Sequence, residues 1–259
     1  MMENIFTYNS YKKILIKMKE IGDIITFDMY NNKCQNGFIL RHDVDFDLEK
    51  AYDMFKLENE LNVKSTYFVL VTSDLYNVNS KRNRKILIEM CQNGFEVGLH
   101  FDPVVYGDIT LEELETNAKK EIDIIESIID KKVESISLHN PSIHNMYPQF
   151  KGYKNAYSSK FFNSELYISD SCKNFRGKEL IKFIEKANQN LLQVVFHPIH
   201  FDQHESSYLD SFSTIIEKRI NDFDKLMYVN KTYQNELNNK TLLEYFNIYL
   251  REKNNDKEV

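Results

Sequence analysis

Gly37-Phe38-Ile39-Leu40-Arg41-His42-Asp43-Val44-Asp45 is the stretch on which this chain turns. An apolar run closed by polar residues describes a buried strand over 37–42, which delivers His42, Asp43 and Asp45 together at its C-terminal end. In α/β architectures, ligand and catalytic sites collect at that end of the sheet. Two carboxylates one residue apart can divide the labour there, one holding a metal ion and the other taking a proton from water. Helix capping is the simpler alternative, because Asp45 or Asp47 precedes the periodic segment that begins at Leu48. Capping uses a single Asp and leaves His42 and Asp43 without a role.

Outward from that strand, helical and strand periods alternate. Tyr11, Ile14, Leu15 and Met18 predict a helix over 8–21, with a short strand at 24–27. After the central strand come a helix over 48–61, a β-branched and aromatic strand at 65–71 and a helix at 83–92. A strand at 95–99 then delivers His100. Thr110 and Glu113 form a capping box for a helix striped by Leu111, Leu114, Ala118, Ile122, Ile125 and Ile129. A strand at 133–138 delivers His139, one at 166–169 ends at Asp170, and one at 191–196 delivers His197. Residues 142–165 carry little pattern beyond a short strand at 155–158. A helix is expected at 177–187, further helix over 208–251 with a break near Asn230, and a charged, frayed tail at 252–259. The alternation predicts an α/β fold with a mostly parallel sheet, open or closed. We expect one domain over 1–259: a helical lead-in at 1–36, the strand-rich body at 37–200, and C-terminal helices with the tail at 201–259.

Composition narrows the function classes. The 259 residues are 42% hydrophobic and 28% charged, with only 7 Gly and 4 Pro, which is a globular composition without low-complexity linkers. A formal net charge of -6 offers no long-range attraction to phosphate backbones, so nucleic acid is not expected as a partner. Cys34, Cys91 and Cys172 have no paired spacing and read as reduced thiols. Cys172 is expected to be structural. The first 27 residues interleave charge with apolar side chains, so neither a signal peptide nor a membrane span is expected, and the chain reads as cytoplasmic. Its oligomeric state is not legible.

The histidines carry the chemistry. His42, His100, His139, His144, His197, His200 and His204 all lie at an expected strand end or within seven residues of one, and none falls in a helical stripe. Pro103, Pro141 and Pro198 follow three of them and stiffen the chain there. Imidazole with carboxylate suits zinc or another first-row divalent ion. Asp45, His100 and one further group can supply three ligands and leave a position open for water. His200 and His204 have the i, i+4 spacing of a helical metal pair, but no helix signal accompanies them and solvent exposure is the expectation. A phosphohydrolase His-Asp dyad requires a helix, whereas this pair closes a Phe-Ile-Leu strand.

The Asp-Val-Asp strand, Glu96-Val97-Gly98-Leu99-His100, His139-Asn140-Pro141 and Phe196-His197-Pro198 resemble, in order, the motifs of the NodB-type polysaccharide deacetylases, carbohydrate esterase family four. The resemblance spans residues 37–200. It implies a distorted (β/α) barrel of about seven strands and a divalent metal, usually zinc. It also implies Asp43 as catalytic base, Asp45 and His100 as metal ligands, and His197 as the acid that protonates the leaving amine. The implied substrate is an N-acylated, in the first instance N-acetylated, amino sugar or glycan precursor, and the cytoplasmic reading favours a nucleotide-linked or lipid-linked one. Removal of an N-formyl group is one alternative, and a non-catalytic carbohydrate-binding homologue is another. Two positions depart from the family. Val104 stands where a second metal-binding histidine is usual, and His139 replaces an arginine that orients the base. One exchange accounts for both if His139 is the third ligand, with Asp102 the competing candidate. Arg41, His42 and Asp170 are left as supporting residues.

Overall fold

The computed structural model describes residues 5–255. Two compact units divide the chain, Met1–Glu205 and Ser206–Val259. Among its described residues the first holds eight strands: β1 (Ile24–Ile25), β2 (Gly37–Val44), β3 (Thr66–Val69), β4 (Glu96–Phe101), β5 (Ser135–Leu138), β6 (Lys154–Asn155), β7 (Tyr167–Ser169) and β8 (Leu191–Phe196). All pair in parallel, in the order β6-β5-β4-β3-β2-β8-β7, with β1 also on β2. The seven strands of that path curl into a distorted (β/α) barrel.

β2 is the centre of the sheet. One edge pairs with β1 at Phe38 and Ile39 and with β3 from Arg41 to Val44, while the other pairs with β8 from Gly37 to His42. Pairing with β3 keeps the backbone extended two residues beyond the expected end at 42, so Asp43 lies inside the strand. All eight residues of β2 are buried, as a parallel strand covered on both faces must be. Successive side chains alternate between those faces. Ile39 joins Phe27, Phe68, Ala156 and Phe161 inside the barrel, whereas Phe38 and Leu40 pack outward among residues of the surrounding helices.

Helices α1 (Tyr8–Ile21), α2 (Leu48–Glu60), α3 (Lys81–Gln92) and α4 (Leu111–Ile129) cover the sheet. Tyr11, Ile14, Leu15 and Met18 of α1 are fully buried, matching the expected stripe. Asp47 is the N-cap of α2, its side chain accepting from the Glu49 N–H at 3.1 Å. Capping therefore consumes Asp47 and leaves Asp45 for other work. The Thr110 and Glu113 capping box forms as expected. Gly98 in β4 reflects crowding, because a Cβ there would lie 2.6 Å from Phe68 Cε1 and 2.8 Å from Ser135 Oγ.

The stretch 142–165 proves mostly irregular. It holds part of the single turn α5 (Pro141–His144) and the two residues of β6. The helix expected over 177–187 is shorter, α6 (Leu180–Ile184), and continues as a 3-10 turn, Glu185–Asn188.

The second unit consists of α7 (Tyr208–Met227), α8 (Lys231–Leu237) and α9 (Leu242–Asn255). Asn230 caps α8, which explains the expected break. Asp224 accepts from Tyr233 Oη at 2.8 Å and from the Leu242 N–H at 3.1 Å, tying the three helices together. The supposedly frayed tail is helical as far as Asn255, and its last four residues, 256–259, lie outside the described residues. Among the described residues no helix is long and apolar enough to cross a membrane.

Candidate active site

The sheet gathers its polar residues at one end. On the inward face, β2 supplies Arg41 and Asp43, followed by Asp45. His100 comes from β4, Ser137 from β5, and His139, Asp170 and His197 from the residues after β5, β7 and β8. A cavity of about 470 Å³ opens there, lined by Asp43, Asp45, His100, His139 and His197 together with aromatic side chains that include Tyr157, Phe162 and Tyr167.

Asp45, His100 and His139 converge. Asp45 Oδ1 lies 3.0 Å from His100 Nε2 and 3.4 Å from His139 Nδ1, and those two nitrogens are 3.2 Å apart. One atom from each residue therefore falls within 4.8 Å of the others, a set able to hold a metal ion. Asp45 Oδ1 is buried and makes no hydrogen bond despite this proximity. A carboxylate oxygen left without a hydrogen bond beside two imidazole nitrogens that share one between them is a donor set that suits a divalent cation. Burial works to raise the Asp45 carboxyl, but the neighbouring His100 and His139 imidazoles hold it well below the usual carboxylate range. The ionised form is the one that binds metal. His139 Nε2 lies 2.8 Å from the Asn140 side-chain amide, which fixes the ring from behind.

Asp43 stands beside this set. Arg41 Nη2 donates to its Oδ2 at 2.9 Å, and Ser137 Oγ donates to Oδ1 at 3.5 Å. Across the cavity, Asp170 receives the His197 N–H at 3.0 Å, His197 Nδ1 at 2.6 Å and His200 Nδ1 at 3.0 Å. Burial opposes charge on His197, yet the Asp170 carboxylate dominates and raises the imidazole to about 9. Asp170 is itself pulled to about 2 by His200 and His197 against the effect of its burial. His197 Nε2 points back toward Asp45, 4.0 Å from Oδ2. The Nε2 edge of the imidazole thus faces the cavity.

Other sequence expectations are redistributed. His42 does not face the site; it points outward, with Nδ1 3.1 Å from the Phe196 carbonyl oxygen and Nε2 2.7 Å from Glu58 Oε1. Alternation along β2 requires this, since Arg41 and Asp43 occupy the other face. Asp102 is not drawn to the Asp45 set, because it caps the 3-10 turn Pro103–Tyr106 by accepting from the Val104 N–H at 3.0 Å. Val104 is 42% exposed and offers nothing to a metal. The expectation that His200 is exposed is corrected: it is buried against Asp170, a partner thirty residues upstream that local spacing cannot reveal. His144 and His204 are exposed. Cys172 is exposed at the cavity wall. Gln193 and Tyr157, which hold Arg41, were not anticipated, although a glutamine within Leu-Leu-Gln-Val-Val-Phe was a visible anomaly.

The chain matches no family model, and no curated protein matches its sequence. Among solved structures it is similar to the peptidoglycan deacetylase PdaC from Bacillus subtilis, at 20% identity and a TM-score of 0.43 over 73% of this chain and 85% of that one. It is similar also to the chitin deacetylase of the fungal pathogen Colletotrichum lindemuthianum, at 15% identity and a TM-score of 0.47 over 76% and 87%. A third is BA3943 from Bacillus anthracis, a CE4 family pseudoenzyme, at 15% identity and a TM-score of 0.41, where the alignment covers 73% of this chain and 61% of the other. The solved structures to which this chain is similar thus include two deacetylases and a pseudoenzyme of the CE4 family.

Proposed function

We propose that the chain is a metal-dependent hydrolase that removes an N-acyl group, acetyl in the first instance, from an amino sugar or glycan precursor, and that it is a divergent NodB-type deacetylase. The observation that carries this reading is the convergence of Asp45, His100 and His139 beside a buried carboxylate, Asp43, and opposite a charged imidazole, His197. Asp45, His100 and His139 would hold the ion, zinc by the chemistry of the donor set. When bound, a divalent cation supplies Lewis acidity, lowering the pKa of water toward ~7 and polarising a carbonyl.

The protein's own groups do the rest. Asp43 takes a proton from the attacking water as its oxygen bonds to the acyl carbon. His197 gives its proton to the amide nitrogen as the carbon–nitrogen bond breaks, and Asp170 holds the imidazole in orientation. The products are the free acid and the amino sugar. The aromatic side chains of the cavity offer faces for a sugar ring. Cytoplasmic action on a nucleotide-linked or lipid-linked precursor, and formyl rather than acetyl as the acyl group, are the finer forms of the reading.

The test is acid release from a panel of N-acetyl and N-formyl amino sugars, free and linked, alongside elemental analysis. We expect metal-dependent release. Asp43→Asn is expected to lower kcat by about 10³-fold with metal still bound, and Asp45→Ala to lose the metal. Full turnover in either variant would overturn the assignment.

A further inference from the structure

Arg41 is the largest fully buried side chain among the described residues, and its surroundings are specific. Nη2 donates to Asp43 Oδ2 at 2.9 Å and to Tyr157 Oη at 3.0 Å, and Nη1 donates to Gln193 Oε1 at 3.0 Å. Gln193 is held in turn, its Nε2 donating to the carbonyl oxygens of Ala156 and Phe161 at 3.1 and 3.0 Å. The guanidinium plane is flanked by rings, 4.8 Å from the Tyr157 centroid and 5.5 Å from that of Phe68. Three separate segments, β8, the 156–161 loop and β3, therefore fix one guanidinium, whose outermost contact is the carboxylate two residues on.

Stability alone does not account for this. A buried ion pair is often no more stabilising than apolar side chains of the same volume, and the barrel interior one step down the strand, at Ile39, is apolar. The packing also leaves Arg41 Nε buried without a hydrogen bond. What the arrangement secures is direction. With Oδ2 engaged, Asp43 cannot rotate freely, and Oδ1 is kept on the side of Ser137 and the cavity.

We infer that Arg41 is the positioning residue for Asp43, a guanidinium clamp on the base's own strand that holds one carboxylate oxygen so that the other meets the attacking water. The inference rests on the reading of Asp43 as the base. Arginine is required because its planar fork reaches Asp43, Tyr157 and Gln193 at once, which a lysine ammonium cannot do in the same plane.

The experiment pairs Arg41→Lys with Gln193→Leu, which leaves Arg41 in place and removes the acceptor of Nη1 without touching the cavity lining. Crystal structures of both variants and steady-state kinetics are read together. For Arg41→Lys the expectation is an Asp43 carboxylate turned from its present orientation and a kcat lower by about 10²-fold, with KM and bound zinc unchanged. Gln193→Leu is expected to show a smaller fall in kcat, about 10-fold, with the Asp43 carboxylate turned in the same way and again without a change in KM. An Asp43 carboxylate that keeps its orientation in Arg41→Lys overturns the inference whatever the activity. So does a kcat within twofold of wild type in both variants when Asp43→Asn is inactive. Turnover surviving in Asp43→Asn overturns the reading of the base itself, a distinguishable failure. If Arg41→Lys does not fold, the orientation of Asp43 in Gln193→Leu decides.

Discussion

The two faces of β2 share one backbone and do opposite work. Inward, Ile39, Arg41 and Asp43 form a ladder that passes from an apolar plug through a buried cation to a carboxylate at the cavity, with Asp45 just beyond. Outward, His42 enters a closed network in which Glu58 accepts from His42, Tyr11, Ser65 and Tyr67, none of them exposed to solvent. Glu58 Oε1 and Oε2 each take two partners, and none of these residues lines the cavity. On the inner face Asp45 Oδ1 is left without a hydrogen bond. Adjacent polar residues of one strand thus differ in role by parity, and hydrogen-bond satisfaction separates the structural network from the reactive one.

Breaking the outer network should cost stability and spare chemistry. Glu58→Ala strands His42, two tyrosines and a serine in the interior, and we expect a loss of about 3–5 kcal/mol by urea unfolding. The kcat of the molecules that remain folded should stay within about twofold of wild type, against the ~10³-fold loss expected for Asp43→Asn. An activity loss in Glu58→Ala beyond its unfolded fraction would show that the two faces are coupled.

A smaller effect separates two buried carboxylates by the sign of their pH dependence. Burial pushes Glu58 up, but His42 and the hydroxyl donors outweigh it and lower its pKa. Its contribution is therefore present above the unfolded value and lost as pH falls through the folded one. Glu96 is the reverse: burial, aided by Asp28, raises it to about 7 despite hydrogen bonds from Ser135 and Thr66. Its contribution is present below the unfolded value and is lost as pH rises through about 7. Unfolding free energies measured from about pH 2 to 8 should show Glu96→Gln removing up to about 3 kcal/mol of that alkaline loss. Glu58→Gln should instead remove part of the acid loss. The same slope in wild type and both variants would refute both environments.

Much of this was legible because period and motif order are local. The strands, the Thr110 capping box and the residues at the strand ends could be read from short windows, whereas the parity that puts Arg41 and Asp43 on one face of β2 and His42 on the other went unused. What could not be read depends on distant pairing. His200 finds Asp170 from another strand, His42 finds Glu58 from a helix, and Tyr157 reaches Arg41 from a stretch with no periodicity. The limits of β2 were misjudged for the same reason, because its last two residues are held extended by β3.

His139 is the residue on which the account depends, since it stands near Asp45 and His100 where Val104 contributes nothing. Calorimetric titration of zinc into metal-stripped wild type and His139→Ala measures its part directly. The account predicts one zinc per chain in the wild type and an affinity at least about 10²-fold weaker in the variant. Zinc binding of equal affinity in both proteins, or none in the wild type, would contradict it.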